Sequence, residues 1–233
     1  MNYKRILLKL SGESLMGQSQ SIDPQNLEYF ASEVAEASKN NFQIAIVIGG
    51  GNIFRGISGT KKGFDRVQGD YMGMLATTIN SMALQGALES MGVTSVVLSG
   101  LPIDPICEKM SRRKALEYLS KGYVVIISGG TGNPYFTTDS AAALRGIEIS
   151  ADVLLKGTRV DGVYDKDPEK FNDAVKYSEL TFDEAYNKGL NIMDLTAFTL
   201  CKENNLPILV FDMNTKGNLA EVLHDKNIGT IIK

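Results

Sequence analysis

A buried strand that ends in three glycines and an arginine is the stretch of this chain whose residue types suit chemistry best. Ile44–Ile48 is a continuous apolar run, typical of a strand covered on both faces. At Gly49–Gly51 the missing Cβ atoms let main-chain N–H groups converge on a ligand, and Arg55 adds a fixed positive charge. The pattern favours a phosphate site. A glycine-rich turn with a surface arginine is the alternative.

A second turn of this kind follows the first predicted strand, Tyr3–Leu10. The run Lys9–Gly12 places a lysine, a hydroxyl and a glycine where the strand becomes a loop. It lacks the GxxxxGK[ST] spacing of a Walker A loop. Taken alone, it fits a solvated lysine at a strand end better than a phosphate site.

A third glycine-rich turn, Gly129–Gly132, follows the predicted strand Val124–Ile127. The chain continues through Thr137, Thr138 and Asp139 into a predicted helix, and the N-terminus of a helix favours an anion. These three residues are equally compatible with simple helix capping.

Carboxylates and one aromatic ring supply the other candidate groups. Asp70 lies at the start of a long predicted helix, where it can cap the helix or accept hydrogen bonds from ligand hydroxyls. The loop Gly157–Pro168 carries Tyr164 among polar residues, which could hold a nucleobase and its ribose. Solvated turn chemistry explains that loop about as well. Its polar residues are Thr158, Asp161, Asp165 and Asp167.

Strands and helices alternate along the whole chain, which predicts an α/β fold with a mainly parallel central sheet, covered by helices on both faces as a three-layer α/β/α sandwich. We expect one domain spanning residues 1–233. The three glycine turns all follow strands, so they should meet at one edge of the sheet. Predicted strands are Tyr3–Leu10, Ile44–Ile48, Val93–Leu98, Val124–Ile127, Ala151–Lys156 and Ile208–Phe211. Predicted helices are Gln25–Lys39, Arg66–Gly92, Ser111–Lys121, Ser140–Gly146, Leu180–Lys188, Met193–Asn204 and Gly217–Leu223.

Composition excludes several classes of function. The 233 residues are 43% hydrophobic, enough for a sizeable core, and the net charge of -3 argues against a general nucleic-acid surface. The apolar run near the N-terminus is too short for a signal sequence or a membrane span, which predicts a cytoplasmic protein without membrane contact. Cys107 and Cys201 lack metal-ligand spacing and are predicted to be buried thiols.

Taken in order, these loops resemble those of the bacterial uridylate kinases of the amino acid kinase superfamily. The resemblance runs nearly end to end. It is carried by KLSGES at Lys9–Ser14, IGGGNIFRG at Ile48–Gly56, GDYMGMLAT at Gly69–Thr77, GTGNPYFTTDSAA at Gly130–Ala142, LKGTRVDGVYDKDP at Leu155–Pro168 and MDLTAFTL at Met193–Leu200. It implies transfer of the γ-phosphoryl group of ATP to UMP.

The resemblance also implies roles for individual residues. The part of the chain before about residue 150 would hold mainly UMP, and the part after it mainly ATP. ATP would contact Lys9, Leu10, Ser11, Gly12, Gly51, Arg55, Thr158, Tyr164 and Asp167. UMP would contact Gly50, Asp70, Thr131, Gly132, Asn133, Pro134, Tyr135, Phe136, Thr137 and Thr138. The catalytic groups would be Lys9, Arg55, Asp139 and Lys156.

The implied mechanism is direct transfer without a covalent intermediate. The attacking UMP oxygen is already anionic, so the site must supply positive charge and positioning rather than a general base. Asp139 would orient the lysines. Mg²⁺ would be held chiefly by ATP phosphates and water, because the sequence shows no compact carboxylate cluster.

Assembly and regulation are implied as well: a homohexamer inhibited by UTP, with GTP as a possible effector. The apolar helix from Met72 to Met91 is consistent with a surface between subunits. The segment Met16–Asp23 is shorter than its counterpart in many family members, which places GTP activation in doubt. Gly130 stands where the family pattern has alanine, a change compatible with an intact uridine site.

Two other functions are weighed against this one. A superfamily kinase acting on acetylglutamate or carbamate would share the phosphate loops but not the GDYMGMLAT and GTGNPYFTT motifs. A catalytically silent nucleotide-binding regulator would have no need for Lys9, Arg55, Asp139 and Lys156.

Overall fold

A nine-stranded sheet forms the centre of the molecule. The computed structural model describes residues 3–18, 20–54, 63, 65–224 and 228–233. The spatial order of the strands is β4-β3-β5-β2-β1-β6-β10-β11-β9, and every neighbouring pair is parallel except β10 with β11. The strands are β1 Arg5–Leu10, β2 Gln43–Ile48, β3 Ser95–Ser99, β4 Glu108–Lys109, β5 Val124–Ser128, β6 Val153–Thr158, β9 Glu179–Leu180, β10 Ile208–Asp212 and β11 Thr230–Ile232. A separate antiparallel pair joins β7 Val163–Tyr164 to β8 Lys176–Tyr177.

Helices cover both faces of this sheet. α1, α2 and α7 pack on one face, and α3, α4, α5 and α6 pack on the other. The predicted three-layer α/β/α architecture is therefore confirmed. The helices are α1 Pro24–Ser38, α2 Arg66–Ser90, α3 Arg112–Ser120, α4 Thr138–Glu148, α5 Phe182–Asn187, α6 Leu195–Glu203 and α7 Asn218–His224. Within the described parts of the chain, no helix combines the length and apolar character needed to cross a membrane.

The alternation of β1 decides which way its lysine faces. Ile6, Leu8 and Leu10 belong to the core beneath α1, α2 and α7, whereas Leu7 belongs to the core beneath α3 to α6. Because side chains alternate between the faces of a strand, Lys9 shares the face of Leu7. The central strand thus presents its cation to the layer that contains α4.

Several predicted boundaries were wrong, and the reason is local hydrogen bonding. α4 starts at Thr138, with Thr137 as N-cap, so Thr138 and Asp139 lie in its first turn rather than in the preceding loop. α2 starts at Arg66 as predicted, and of the two alternatives for Asp70 the capping one is wrong, since Asp65 is the cap and its carboxylate accepts hydrogen bonds from the N–H groups of Val67 and Gln68.

Short elements also divide segments that were predicted as single stretches. β9 ends at Leu180, where helix α5 had been predicted to start, and Thr181 caps that helix in a reciprocal bond with Glu184. The predicted loop Gly157–Pro168 contains the end of β6 and all of β7. Two-residue strands of this kind carry too little periodicity to be predicted from sequence.

One side of α2 is apolar and exposed in the single chain. Ile79 is 50% exposed, and Leu75 and Met82 are each 47% exposed, with Tyr71 and Met72 beside them on the helix. The opposite side of α2 buries Leu84 and Leu88 together with Thr77 and Asn80. The expectation that this helix forms a surface between subunits therefore applies to a defined apolar stripe, which consists of Tyr71, Met72, Leu75, Ile79 and Met82.

Candidate functional site

Two lysines on neighbouring strands share one carboxylate. Lys9 of β1 and Lys156 of β6 are register partners, and so they project from the same face of the sheet. Lys9 Nζ lies 2.8 Å from Asp139 Oδ1, and Lys156 Nζ lies 3.2 Å from Asp139 Oδ2. Lys156 also donates a hydrogen bond to the carbonyl of Ile192. The structure thus brings together three of the four predicted catalytic residues, while the fourth, Arg55, lies outside the described residues.

The charges of this cluster follow from burial and from mutual attraction. Burial acts to raise the pKa of Asp139, but Lys9 and Lys156 outweigh it and hold the pKa below its ordinary value of 3.8. Burial, assisted by repulsion from Lys9, lowers the pKa of Lys156 despite the attraction of Asp139. Asp139 therefore stays ionised at neutral pH, and it serves to orient the two cations rather than to accept a proton.

A cavity of about 400 Å³ opens beside this cluster, at the carboxyl ends of the strands. It is lined from three directions: the glycine turn after β2, the start of α2, and the segment between β5 and α4. Seven of the ten residues predicted for UMP line it, namely Gly50, Asp70, Thr131, Asn133, Phe136, Thr137 and Thr138. Gly132, Pro134 and Tyr135 belong to the same segment but are not among the lining residues, which do include Gly51.

Asp70 ties α2 to the segment between β5 and α4. Its Oδ2 accepts hydrogen bonds from Arg66 Nε at 2.8 Å and from the Tyr135 main-chain N–H at 2.7 Å. The Arg66 guanidinium also lies 5.6 Å from the centre of the Tyr135 ring. Tyr135 has a φ of 72°, a left-handed conformation that is costly for a bulky residue. The contact with Asp70 fixes this residue next to the cavity.

The first two glycine turns approach each other so closely that Gly12 has no room for a side chain. A Cβ on Gly12 would lie 2.3 Å from the Gly49 carbonyl oxygen and 2.5 Å from Asn52 Oδ1. Asn52 is held in turn by a reciprocal amide pair with Asn80 of α2, at 2.7 and 2.9 Å, and Asn80 also donates to the Gly49 carbonyl at 2.7 Å. The predicted meeting of these turns is thus realised through a fully paired, buried amide network.

A second cavity, of about 500 Å³, lies beside Lys156. Thr158, Tyr164 and Asp167 all line it, as does Lys156 itself. The Tyr164 hydroxyl donates to Asp161 at 2.6 Å, and this bond, together with burial, raises the pKa of Tyr164 to about 12. Asp167 forms an ion pair with Lys170 at 2.8 Å. The three residues predicted for adenosine are therefore neighbours, although they are spread over ten positions of sequence.

Asp194 is a site residue that sequence reasoning missed. It caps α6 by accepting the Ala197 N–H at 2.9 Å, and it also accepts hydrogen bonds from the hydroxyls of Thr137 and Ser140. It thereby couples α6 to the first turn of α4, beside Asp139. Asp194 lies in the motif MDLTAFTL, but an aspartate before a helix is already explained as an N-cap. The long-range contact leaves no trace in the local pattern.

Comparison with known proteins agrees with this geometry. A family model described as the amino acid kinase family matches residues 4–212. The chain belongs to the amino acid kinase family. Uridylate kinase from Parabacteroides distasonis is 61% identical over 231 residues, covering 99% of this chain and 98% of that protein. Uridylate kinase from Porphyromonas gingivalis is 60% identical, with 99% and 97% of the two chains covered.

Solved structures extend the comparison to the whole fold. The crystal structure of UMP kinase from Bacillus anthracis matches with a TM-score of 0.96 at 36% identity, over 100% of this chain and 97% of the other. UMP kinase from Ureaplasma parvum matches with a TM-score of 0.93 at 38% identity, over the full length of both chains. Membership of the family, and the resemblance to its uridylate kinases, are thus confirmed.

Proposed function

We propose that this protein is a UMP kinase, which transfers the γ-phosphoryl group of ATP to UMP and yields ADP and UDP. The observation that carries the proposal is the Lys9–Asp139–Lys156 cluster, which adjoins both cavities. Thr138, next to Asp139, lines the first cavity, and Lys156 lines the second. An acceptor in one and a donor in the other would bring both phosphate chains to the same pair of cations. Such a reversible reaction supplies UTP and CTP in de novo pyrimidine nucleotide synthesis.

The assignment of substrates to cavities follows the residues that line them. UMP would occupy the first cavity, held by Gly50, Asp70 and the segment Thr131–Thr138. The adenosine of ATP would occupy the second, against Thr158, Tyr164 and Asp167. Its phosphates would reach back to Gly51, to Arg55 and to the turn formed by Lys9, Leu10, Ser11 and Gly12. The relatives named above support this reading over a kinase for acetylglutamate or carbamate and over a silent regulator.

The chemistry asked of the protein is charge neutralisation and alignment. Negative charge spreads over the oxygens of the transferring phosphoryl group, and fixed cations in a partly buried site stabilise it without reorganisation. Lys9 and Lys156, held by one carboxylate, are pre-oriented for this role. No covalent intermediate is needed, because a UMP phosphate oxygen attacks in line.

Magnesium fits this site as a companion of ATP rather than as a resident ion. Both Asp139 oxygens are taken by lysines, and Asp194 is taken by two hydroxyls and a helix N–H. Among the described residues, no group of three or more carboxylate, histidine or cysteine side chains is placed to hold a metal ion. Mg²⁺ would be held by the phosphates of ATP and by water, and it would neutralise part of their charge.

Assembly, regulation and location form part of the same proposal. We infer one domain spanning residues 1–233, a homohexamer in which the exposed apolar stripe of α2 is covered by a second copy, inhibition by UTP, and a cytoplasmic location. The response to GTP is left to experiment, because the segment Met16–Asp23 departs from the family pattern. The net charge of -3 supports small anionic ligands held locally, without nucleic-acid or membrane partners.

Steady-state ADP production with Mg²⁺-ATP tests the proposal. UMP, CMP, dUMP, acetylglutamate and carbamate are compared as acceptors, with a reaction lacking any acceptor as control, and each is repeated with GTP and with UTP. We expect strong preference for UMP and inhibition by UTP. Absence of turnover with UMP would contradict the assignment and favour a catalytically silent nucleotide-binding regulator.

A further inference from the structure

The buried side of α2 carries a row of hydroxyl and amide side chains, and one of the hydroxyls bonds to the main chain of the turn after β5. Thr78 and Ser81 bond to carbonyls of their own helix, as is usual for such residues, and Thr78 also meets the Ser128 hydroxyl at 3.2 Å. Thr77 donates to the Met74 carbonyl at 2.6 Å and accepts the main-chain N–H of Gly129 at 2.8 Å. Its hydroxyl thus joins α2 to the turn after β5. Thr77 is the last residue of the motif GDYMGMLAT, which also contains Asp70.

The turn that Thr77 contacts has little freedom of its own. Gly129 and Gly130 have φ values of 69° and 58°, which a residue with a side chain adopts only under strain. A Cβ on Gly129 would lie 2.7 Å from Ser99 Oγ. The Gly129 N–H is buried and bonds to Thr77, so without that hydroxyl it would be left unpaired.

A second side chain holds the same turn from α4. Arg145, whose side chain is 8% exposed, donates from Nη2 to the Gly130 carbonyl at 3.0 Å and pairs through Nη1 with Glu148 at 2.7 Å. The Nη2 atom would lie only 3.1 Å from a Cβ on Gly100, so the neighbouring turn leaves just enough space for the guanidinium. Two peptide groups of the turn are therefore held by two helices, at the point where the segment Thr131–Thr138 begins.

We propose that Thr77 and Arg145 are positioning residues, which fix the Gly129–Gly130 turn and thereby place the UMP-binding segment at the edge of the first cavity. The inference rests on the proposed function, in which that segment binds UMP. Thr77 lines the first cavity, but its hydroxyl already donates one bond and accepts another within the protein, so the positioning role requires no contact with UMP. Arg145 is not among the residues that line this cavity. Loosening the turn should weaken UMP binding and leave ATP binding unchanged.

The test uses Thr77→Val, which keeps shape and removes the hydroxyl, and Thr77→Ser, which restores it. Thr78→Val is the matched control, since Thr78 is equally buried but makes no bond to the main chain of the turn. Binding of UMP is measured by titration calorimetry, and KM for each substrate and kcat are measured by ADP release. We expect Thr77→Val to raise the Kd and the KM for UMP about tenfold, with the KM for ATP within about twofold. Thr77→Ser and Thr78→Val should both stay within about twofold of the original protein.

Arg145→Met gives an independent measurement if Thr77→Val fails to fold. It frees the Gly130 carbonyl, whereas its control Glu148→Gln removes only the negative charge beside the guanidinium. We expect weaker UMP binding for Arg145→Met and little change for Glu148→Gln. Equal loss in each variant and its control would overturn the inference, as would unchanged UMP binding in Thr77→Val or in Arg145→Met.

Asp70→Asn separates this inference from the assignment beneath it. If Asp70→Asn weakens UMP binding while Thr77→Val does not, the UMP site stands and the positioning role is wrong. If the original protein binds UMP and neither variant changes its affinity, UMP lies elsewhere and both ideas fail. If the original protein does not bind UMP at all, the proposed function fails first.

Discussion

At the scale of single residues, one carboxylate arranges two cations that would otherwise repel each other. Lys9 and Lys156 reach Asp139 from adjacent strands, and all three side chains are less than a fifth exposed. Removing either lysine leaves the other ion pair in place. Removing Asp139 leaves two neighbouring positive charges without their shared carboxylate, which is the costlier change.

Lys9→Ala should lower turnover far more than it weakens UMP binding. The lysine would act on charge that develops during transfer, so kcat should fall about a hundredfold or more. The Kd for UMP should change by less than about threefold. Lys4→Ala, at an exposed lysine on the same end of the chain, serves as control. Parallel losses in kcat and in UMP affinity would argue that Lys9 holds the acceptor instead.

Asp139→Asn should change stability in a way that depends on pH. The pKa of Asp139 is below its ordinary value of 3.8, so the ionised carboxylate stabilises the folded state at neutral pH. The unfolded chain takes up a proton here before the folded chain does. The advantage of the original protein over Asp139→Asn should therefore be constant above about pH 5 and shrink as pH falls through the lowered pKa.

Urea unfolding of both proteins between pH 7 and pH 3 gives this difference in the free energy of unfolding. A difference that stays constant down to pH 3 would contradict the ion pairs as described. Loss of kcat at neutral pH should accompany the substitution, because the lysines lose their common anchor.

At the scale of elements, the glycine turn after β2 packs tightly against α2. A Cβ on Gly50 would lie 2.8 Å from both the Ala76 Cβ and the Gly73 carbonyl oxygen of α2. The glycine turn and the helix are thus in direct contact. Neither can move without the other, and both line the first cavity.

Gly50→Ala should therefore push α2 away from the turn and lower both stability and activity. Overpacking at a rigid contact costs about 1–3 kcal/mol in the free energy of unfolding. Gly86→Ala is the matched control, since a Cβ there meets nothing within 4 Å and the position lies inside α2. It should stabilise the protein by about 0.5–1 kcal/mol. The urea concentration at the midpoint of unfolding is compared among the three proteins. Equal midpoints for Gly50→Ala and the original protein would contradict the close contact.

The same elements show what sequence can and cannot predict. Apolar runs such as Ile44–Ile48 predicted the central strands, and the glycine turns predicted which edge of the sheet holds the cavities. The position of Asp194 against Thr137 could not be predicted, because it depends on the packing of α6 against α4. Arg55, the residue that first suggested phosphate, lies outside the described residues and stays a prediction.

At the scale of the whole molecule, α2 presents polar groups to the site and an apolar stripe to the outside. Tyr71, Met72, Leu75, Ile79 and Met82 form that stripe. Contiguous apolar surface of this kind is typical of an interface between protein chains. If a second copy covers it, the helix that braces the glycine turns also joins the subunits.

Ile79→Glu should break this assembly, because it places a charge in the centre of the stripe, where Ile79 is 50% exposed. Sedimentation velocity should show a smaller species than for the original protein. Tyr186→Glu is the control, since Tyr186 is 63% exposed on the other face of the sheet. An unchanged sedimentation coefficient for Ile79→Glu would exclude the stripe as the interface.

The pairing of Lys9 with Lys156 has a consequence for folding. These residues are side by side on the neighbouring strands β1 and β6, yet most of the chain lies between them in sequence. During synthesis, β1 to β5 can assemble before β6 has left the ribosome, but such an intermediate has only one of the two lysines. Closing so long a loop is slow compared with forming the helices. The rate at which activity recovers on refolding should therefore report the docking of β6 onto β1. The spectroscopic signal of the helices should return before activity does.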